Sequence, residues 1–139
     1  MNILVIDAQG GGIGRQLITE MKKRDANIIV QAVGTNSIAT SAMLKAGADQ
    51  AATGENSVVV CARKADVIIG PIGIVIANAM LGEVTPKMAE AVGNSDAERI
   101  LIPFQNCGSK IIGITNTNTG RLIEEAVNYL FEEVIQKQL

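Results

Sequence analysis

The chain has 139 residues, with 12 basic and 14 acidic side chains and no histidine. A net charge of −2, with a single basic run at residues 22–24, argues against nucleic acid and charged membrane surfaces as partners. The lack of histidine excludes histidine-dependent triads and histidine metal sites. Hydrophobic residues make up 47% of the chain, yet it has only two Phe, one Tyr and no Trp. Such an aliphatic core is typical of a parallel α/β sheet.

Hydrophobic periodicity and turn residues predict strands and helices that alternate along the chain. The predicted strands are residues 3–6, 28–33, 50–53, 67–70, 100–103 and 111–115. The predicted helices are residues 13–24, 34–47, 55–65, 74–81, 85–93 and 119–139, and residues 95–98 have the spacing of a capping box for one further turn. The segment 55–65 is ambiguous, because its three consecutive valines favour a strand. We predict a helix there, since a crossover between parallel strands needs about this length.

This alternation predicts a single-domain α/β fold, a doubly wound, mostly parallel, Rossmann-like sheet of about six strands with helices on both faces. Ligands of such sheets bind in the crevice outside the carboxyl ends of the strands. The residues that follow the predicted strands are mostly small, neutral and able to form hydrogen bonds. They suit ribose hydroxyls, amides and phosphates, although such residues are also common in loops that bind nothing. These loops are residues 34–37, 53–56, 70–73, 105–107 and 115–118.

A glycine-rich turn joins the first predicted strand to the first predicted helix. Glycine lets a backbone approach an anion closely, and the N–H groups at a helix start point towards it. The sequence therefore predicts a phosphate cradle; its residues are Gly10, Gly11, Gly12, Ile13 and Gly14. The spacing of the glycines does not match the strict dinucleotide fingerprint G-x-G-x-x-G. It matches the T-G-x-x-x-G-I-G turn of short-chain dehydrogenases only at Gly12-Ile13-Gly14. No Gly-Lys-Ser/Thr follows, so a Walker-type loop is excluded. The alternative is that the glycines only make a tight turn.

The loop after the second predicted strand bears on the identity of a nucleotide. Folds that bind NAD usually have an acidic residue there for the ribose 2′-hydroxyl, whereas this chain has Thr35, Asn36 and Ser37. NAD is therefore disfavoured and NADP becomes a candidate cofactor, although the arginine expected beside a 2′-phosphate is absent from the loop. The alternative is that Asn36 or Ser37 merely caps the next helix. Gly70, Pro71 and Gly73, after the fourth strand, complete the predicted nucleotide site.

The sequence contains few candidates for catalysis. Asp7, at the end of the first strand, is the first candidate for a base or magnesium ligand, and Glu55 is the second; Asp7 could equally accept hydrogen bonds from the glycine turn. Cys107 could be a nucleophile, but no base is evident and a buried thiol is the simpler interpretation. Cys61 and Cys107 have no ligand motif beside them, so no metal site is expected. Short-chain dehydrogenases use the tyrosine of a Tyr-x-x-x-Lys motif as their catalytic acid. Tyr129 is not part of such a motif, because Glu133 stands at the lysine position.

Four segments carry a resemblance to a known family. They are Asp7-x-Gln-Gly-Gly-Gly-Ile-Gly14, residues 34–49, residues 53–56 and Ala65-Asp-Val-Ile-Ile-Gly-Pro-Ile-Gly73. Together they resemble a bacterial family catalogued as a domain of unknown function (DUF3842), over nearly the whole chain. The resemblance implies a Rossmann-like domain and implies no reaction.

Two functions of different class follow. The first is a protein that binds a nucleotide or phosphorylated metabolite, without established catalysis; we favour it because the fold uses the whole chain and the crevice lacks a recognisable acid–base pair. The second is an NADP-dependent oxidoreductase whose site is completed by a second subunit. Residues 74–81 are apolar on all sides, which fits deep burial or a homodimer interface. The first strand begins at the N-terminus without a targeting sequence, so we expect a cytoplasmic protein.

Overall fold

The computed structural model describes residues 1–103, 108–115 and 118–138. Within these ranges five parallel strands form one sheet: β1 (Ile3–Asp7), β2 (Val30–Gly34), β3 (Gln50–Thr53), β4 (Val67–Pro71) and β5 (Glu98–Ile102). Their order across the sheet is β3-β2-β1-β4-β5, so β1 lies in the middle, hydrogen-bonded to β2 and β4. The helices are α1 (Gly12–Arg24), α2 (Ser37–Lys45), α3 (Glu55–Lys64), α4 (Pro86–Gly93) and α5 (Thr119–Tyr129).

The helices cover both faces of the sheet because successive side chains of each strand point to opposite sides. Ile3 and Val5 of β1 belong to a core cluster that includes residues of α1, α2 and α5. Leu4 and Ile6 belong to a second cluster with residues of α3 and α4. The predicted doubly wound α/β fold is therefore confirmed.

Two aspartates tie the chain together at the amino ends of the strands. Asp49 Oδ2 accepts hydrogen bonds from the Val30 N–H at 2.8 Å and from Lys22 Nζ at 2.9 Å. Asp66 Oδ2 accepts one from the Asn2 N–H at 2.6 Å. Both carboxylates thus lie at the end of the sheet opposite the predicted crevice.

Most of the predicted elements are confirmed, with bounds shifted by a few residues. The ambiguous segment is a helix, α3, and α4 begins as predicted, since Thr85 accepts a hydrogen bond from the Met88 N–H at 3.1 Å and Pro86 is its first residue. The predicted C-terminal helix begins with α5. Beyond Tyr129 it continues as a wider π-helical segment, Leu130–Ile135, and a short 3-10 segment, Gln136–Gln138.

The prediction of a helix at 74–81 is wrong. A single 3-10 turn, Ile72–Val75, is followed by an irregular loop up to Thr85. Asn78, Met80 and Leu81 have positive φ angles of 65°, 56° and 58°, and left-handed residues cannot continue an α-helix. Ile74 and Ala79 are buried in the core, but they reach it from a loop instead of from a helix.

Two smaller predictions are also wrong. Residues 111–115 form a turn and not a sixth strand; Gly113 has a φ of 93° and Ile112 is 86% exposed, so this segment has neither strand geometry nor a buried face. Residues 95–98 do not start a helical turn. The Ser95 hydroxyl donates to the Ala62 carbonyl at 2.6 Å and accepts from the Ala97 N–H at 3.1 Å, while Glu98 begins β5.

Candidate functional site

The predicted crevice lies where the chain changes the direction in which it crosses the sheet. β1 leads into α1 on one face, whereas β4 leads into residues 72–85 and α4 on the other. The carboxyl ends of these two neighbouring strands are where doubly wound sheets bind ligands. The predicted site residues that follow β1, β2 and β4 lie at this end. The candidates at 105–107 and 116–117, with Cys107 among them, lie outside the described residues.

Packing alone accounts for two glycines of the turn after β1. Gly11 has a φ of 72°, and a Cβ there would lie 2.9 Å from the backbone of Ala39. A Cβ at Gly14 would lie 2.5 Å from the sulfur atom of Met43. These two glycines let the chain reverse and let α1 lie close to α2, whether or not a ligand binds.

Packing does not account for Gly10 and Gly12. A Cβ at either position would meet no atom of the described residues within 4 Å, and neither residue has a positive φ. Gly12 is also the first residue of α1, and glycine is a poorer helix former than most residues by about 0.5–1 kcal/mol. The fold therefore does not require these two glycines, and the space above them lies at the N-terminus of a helix.

Asp7 closes the inner side of this turn and is only 4% exposed. Its Oδ1 accepts a hydrogen bond from the Ala8 N–H and its Oδ2 accepts one from the Gly14 N–H, both at 2.7 Å. Burial raises the pKa of Asp7, and the hydrogen bonds from Gly14 and Ala8 partly offset that rise. Both carboxylate oxygens serve the turn, which is the alternative to catalysis that the sequence left open for this residue.

Arg15 gives the outer side of the turn a positive charge. It is an exposed residue in the first turn of α1, where no acidic residue stands. Its guanidinium forms no ion pair with any carboxylate of the described residues. A cation at a helix N-terminus is repelled by the helix dipole, so the arrangement favours an anion at this point.

Glu83, in the loop before α4, is the site residue that the sequence did not reveal. Its Oε1 accepts three hydrogen bonds: one from the Gln9 N–H at 2.8 Å, and one each from Thr35 Oγ1 and Asn36 Nδ2 at 2.7 Å. Burial alone would raise the pKa of Glu83, but these three hydrogen bonds lower it below its usual value. A fixed carboxylate thus lies between the ends of β1 and β2.

The three predicted ribose residues are largely occupied. Thr35 donates its hydroxyl proton to Glu83, and Asn36 donates to both Glu83 and the Gln9 carbonyl. Asn36 Oδ1 also caps α2 by accepting from the Ala39 N–H at 2.9 Å, which was the alternative role for this residue. Ser37 is the exposed first residue of α2.

The residues after β4 are explained by packing. A Cβ at Gly70 would lie 2.3 Å from the carbonyl oxygen of Ile6, so glycine lets β4 lie beside β1. Pro71 is the buried last residue of β4, and a Cβ at Gly73 would lie 2.7 Å from the end of the Met80 side chain. Glu55, the second catalytic candidate, accepts a hydrogen bond from Thr85 at 2.6 Å and thereby ties α3 to the loop before α4.

A surface groove of about 300 Å³ lies between α1 and α5, beside Arg15. Its lining contains one basic and two acidic side chains, so its charge does not favour an anion. The lining residues are Arg15, Gln16, Thr19, Glu20, Gly120, Ile123 and Glu124. No residue of the glycine turn before Arg15 contributes to this lining.

The fold and this crevice define a doubly wound α/β protein with a glycine turn at its switch point. The chain belongs to the family described as a domain of unknown function (DUF3842), which it matches over residues 2–135. The structure of the dodecameric FMN-dependent Ubix-like decarboxylase from Escherichia coli O157:H7 is similar, with 13% sequence identity and a TM-score of 0.44, over 93% of this chain and 76% of that chain. A likeness of this extent establishes no common ligand or reaction. No curated protein matches the sequence.

The described residues form no helix that is both long and apolar enough to cross a membrane. They also contain no group of three or more Cys, Asp or Glu side chains arranged to hold a metal ion.

Proposed function

We propose that this protein binds a nucleotide or phosphorylated metabolite in the crevice at the carboxyl ends of β1 and β4, with a phosphate group on the glycine turn. The observation that carries the proposal is the open space at Gly10 and Gly12. Glycine weakens a helix start and is not needed there for packing, so close approach of a ligand to the backbone is the physical reason for its presence.

The charges around the turn support an anionic group rather than a neutral one. The first turn of α1 contains Arg15 and no acidic residue, and the inner carboxylate of Asp7 is already hydrogen-bonded to backbone N–H groups. An anion outside Gly10 and Gly12 would interact favourably with both the helix dipole and the guanidinium. Asp7 would in turn hold the turn in shape from within.

NADP fits this geometry poorly. Its 2′-phosphate would lie near the end of β2, where Thr35 and Asn36 already donate to Glu83. Because hydrogen bonds lower the pKa of Glu83, its carboxylate is ionised at neutral pH and would repel a second anion. A ligand with free ribose hydroxyls is therefore favoured over one with a 2′-phosphate.

Binding without catalysis has more support than an oxidoreductase completed by a second subunit. In the described part of the crevice, Asp7 and Glu83 are acceptors in hydrogen-bond networks and do not form an acid–base pair. Ile74 and Ala79, which suggested a dimer interface, are 1% and 8% exposed and belong to the chain's own core, whereas Leu81 is fully exposed. A homodimer stays a prediction, and light scattering of the purified protein would test it.

Calorimetric titration of the purified protein with AMP, ATP, NADH, NADPH and FMN tests the proposal. We expect micromolar binding of at least one ligand with unmodified ribose hydroxyls and weaker binding of NADPH than of NADH. Inorganic phosphate at millimolar concentration should compete with the bound nucleotide. Binding of none of the five would contradict the nucleotide form of the proposal, and undiminished binding in excess phosphate would contradict the placement of the phosphate.

A further inference from the structure

We infer that Glu83 recognises the ribose of the ligand by accepting hydrogen bonds from its 2′- and 3′-hydroxyls, an inference that rests on the nucleotide-binding function proposed above. Glu83 reaches this position from the loop after β4, not from the end of β2. It supplies the acidic group that the second loop itself lacks.

The carboxylate of Glu83 is held from one side only. Oε1 accepts all three hydrogen bonds, from Gln9, Thr35 and Asn36, at 2.7–2.8 Å. Oε2 forms no hydrogen bond with any of the described residues, and the side chain is only half-buried. The three donors come from two different loops, so they fix the orientation of the group. One oxygen is thereby positioned in advance and left available to a ligand.

The available oxygen lies beside the proposed phosphate site. Gln9, whose N–H contacts Glu83, immediately precedes Gly10, the first glycine of the turn. Because Gln9 and Gly10 are consecutive, a phosphate at Gly10 and a hydroxyl at Glu83 would belong to neighbouring groups of one ligand. A nucleoside 5′-phosphate carries its phosphate and its ribose hydroxyls on one sugar.

The end of β2 is also where dinucleotide-binding sheets hold the ribose with an acidic side chain. In this protein the loop of residues 72–85 supplies the acid, since the side chain of Glu83 contacts the residues that follow β1 and β2. Ile74 and Val84, each 1% exposed, anchor the two ends of the loop in the core. Gln9 has a left-handed φ of 52° and directs its N–H to Glu83.

An ionised acceptor selects between ribose derivatives. A hydroxyl pair can donate to Oε2, a 2′-deoxyribose has lost one donor, and a 2′-phosphate places a second negative charge against the carboxylate. The ligand class is therefore a nucleoside phosphate with both ribose hydroxyls free.

The test is calorimetric titration of the full chain, as wild type and as Glu83→Gln, with AMP, 2′-deoxy-AMP and adenosine 2′,5′-bisphosphate. In the wild type we expect AMP to bind roughly tenfold or more tightly than either of the other two. Glutamine keeps an oxygen for the three donors but replaces the free acceptor with an NH₂ group. Glu83→Gln should therefore weaken AMP by more than it weakens 2′-deoxy-AMP, which keeps only the 3′-hydroxyl donor, and it should strengthen the bisphosphate.

Glu90→Gln, an exposed position on α4, is the matched control and should change none of the three affinities. Equal affinity of the wild type for AMP and 2′-deoxy-AMP would overturn the inference and leave the proposed function standing. If Glu83→Gln lowers the affinities for AMP and 2′-deoxy-AMP by the same factor, Glu83 only holds the two loops together, and the inference is also overturned. If none of the three ligands binds, the nucleotide form of the proposed function falls as well. If Glu83→Gln does not fold, the wild-type affinities for the three ligands still test the inference.

Discussion

Replacement of Gly12 by glutamate should stabilise the protein and weaken its binding of phosphate at the same time. The open space at Gly12 accepts a side chain without a clash. Removal of glycine from the first turn of α1 should gain roughly 0.5 kcal/mol. A carboxylate at a helix N-terminus adds about 0.3–1 kcal/mol, and Arg15 stands three residues on, where it can pair with the new carboxylate. The sum is about 1 kcal/mol, or a rise in Tm of about 4 °C for a chain of this size.

The same carboxylate would occupy the space proposed for the phosphate and neutralise Arg15. We expect the affinity for AMP to fall at least tenfold, which corresponds to about 1.4 kcal/mol. Thermal denaturation followed by circular dichroism measures the first effect, and calorimetric titration measures the second. Opposite signs of the two effects distinguish a binding glycine from a structural one.

Gly93→Glu is the matched control. Gly93 is the last residue of α4, and a Cβ there also meets no atom of the described residues within 4 Å. A carboxylate at a helix C-terminus is unfavourable, so this variant should be no more stable than the wild type and should bind AMP normally. A Tm for Gly12→Glu several degrees below that of the wild type would refute the argument that packing leaves Gly12 free. An unchanged affinity would refute its place in the site.

Three further outcomes follow from single contacts. Arg15→Gln should weaken AMP binding by roughly three- to tenfold and reduce its dependence on ionic strength, which titrations at two salt concentrations would measure. Gly70→Ala should cost about 2–3 kcal/mol in urea denaturation, because its Cβ would lie 2.3 Å from a carbonyl oxygen of β1. The backbone N–H of Val30 and the ammonium of Lys22 lower the pKa of Asp49 from 3.8, so its stabilisation is present above that pH and disappears below it. The difference in stability between wild type and Asp49→Asn should therefore narrow as the pH falls from about 5 to about 3.

The sequence predicted the regular part of the fold because local and global signals agree there. Aliphatic runs marked the central strands, and capping by Thr85 with Pro86 marked the start of α4. The segment of α3 shows a topological requirement overriding local preference. Its valines favour a strand, but the chain must cross from β3, at one edge, over β2 and β1 to β4, and such crossovers between parallel strands are usually helices.

The candidate site was less predictable because its key contacts join distant parts of the chain. Glu83 contacts residues that precede it by 47 to 74 positions, and no local motif marks such a meeting. The apolar pattern of residues 74–81 also concealed the loop, because Ile74 and Ala79 are buried as they would be in a helix. The sequence therefore indicated which loops meet at the crevice but not which side chain reaches across it.

The charges of the crevice make the two ends of the proposed ligand chemically different. At Gly10 and Gly12 the surroundings are a helix N-terminus and an arginine that forms no ion pair within the described part of the chain, and both favour an anion. One residue earlier, the N–H of Gln9 holds the ionised carboxylate of Glu83, which repels an anion and attracts hydroxyl donors. A simple phosphate would use only the first half of this site. A nucleoside phosphate would use both halves, and this is why selectivity for the ribose hydroxyls, more than affinity for phosphate, is the property that distinguishes a nucleotide site from a general anion site.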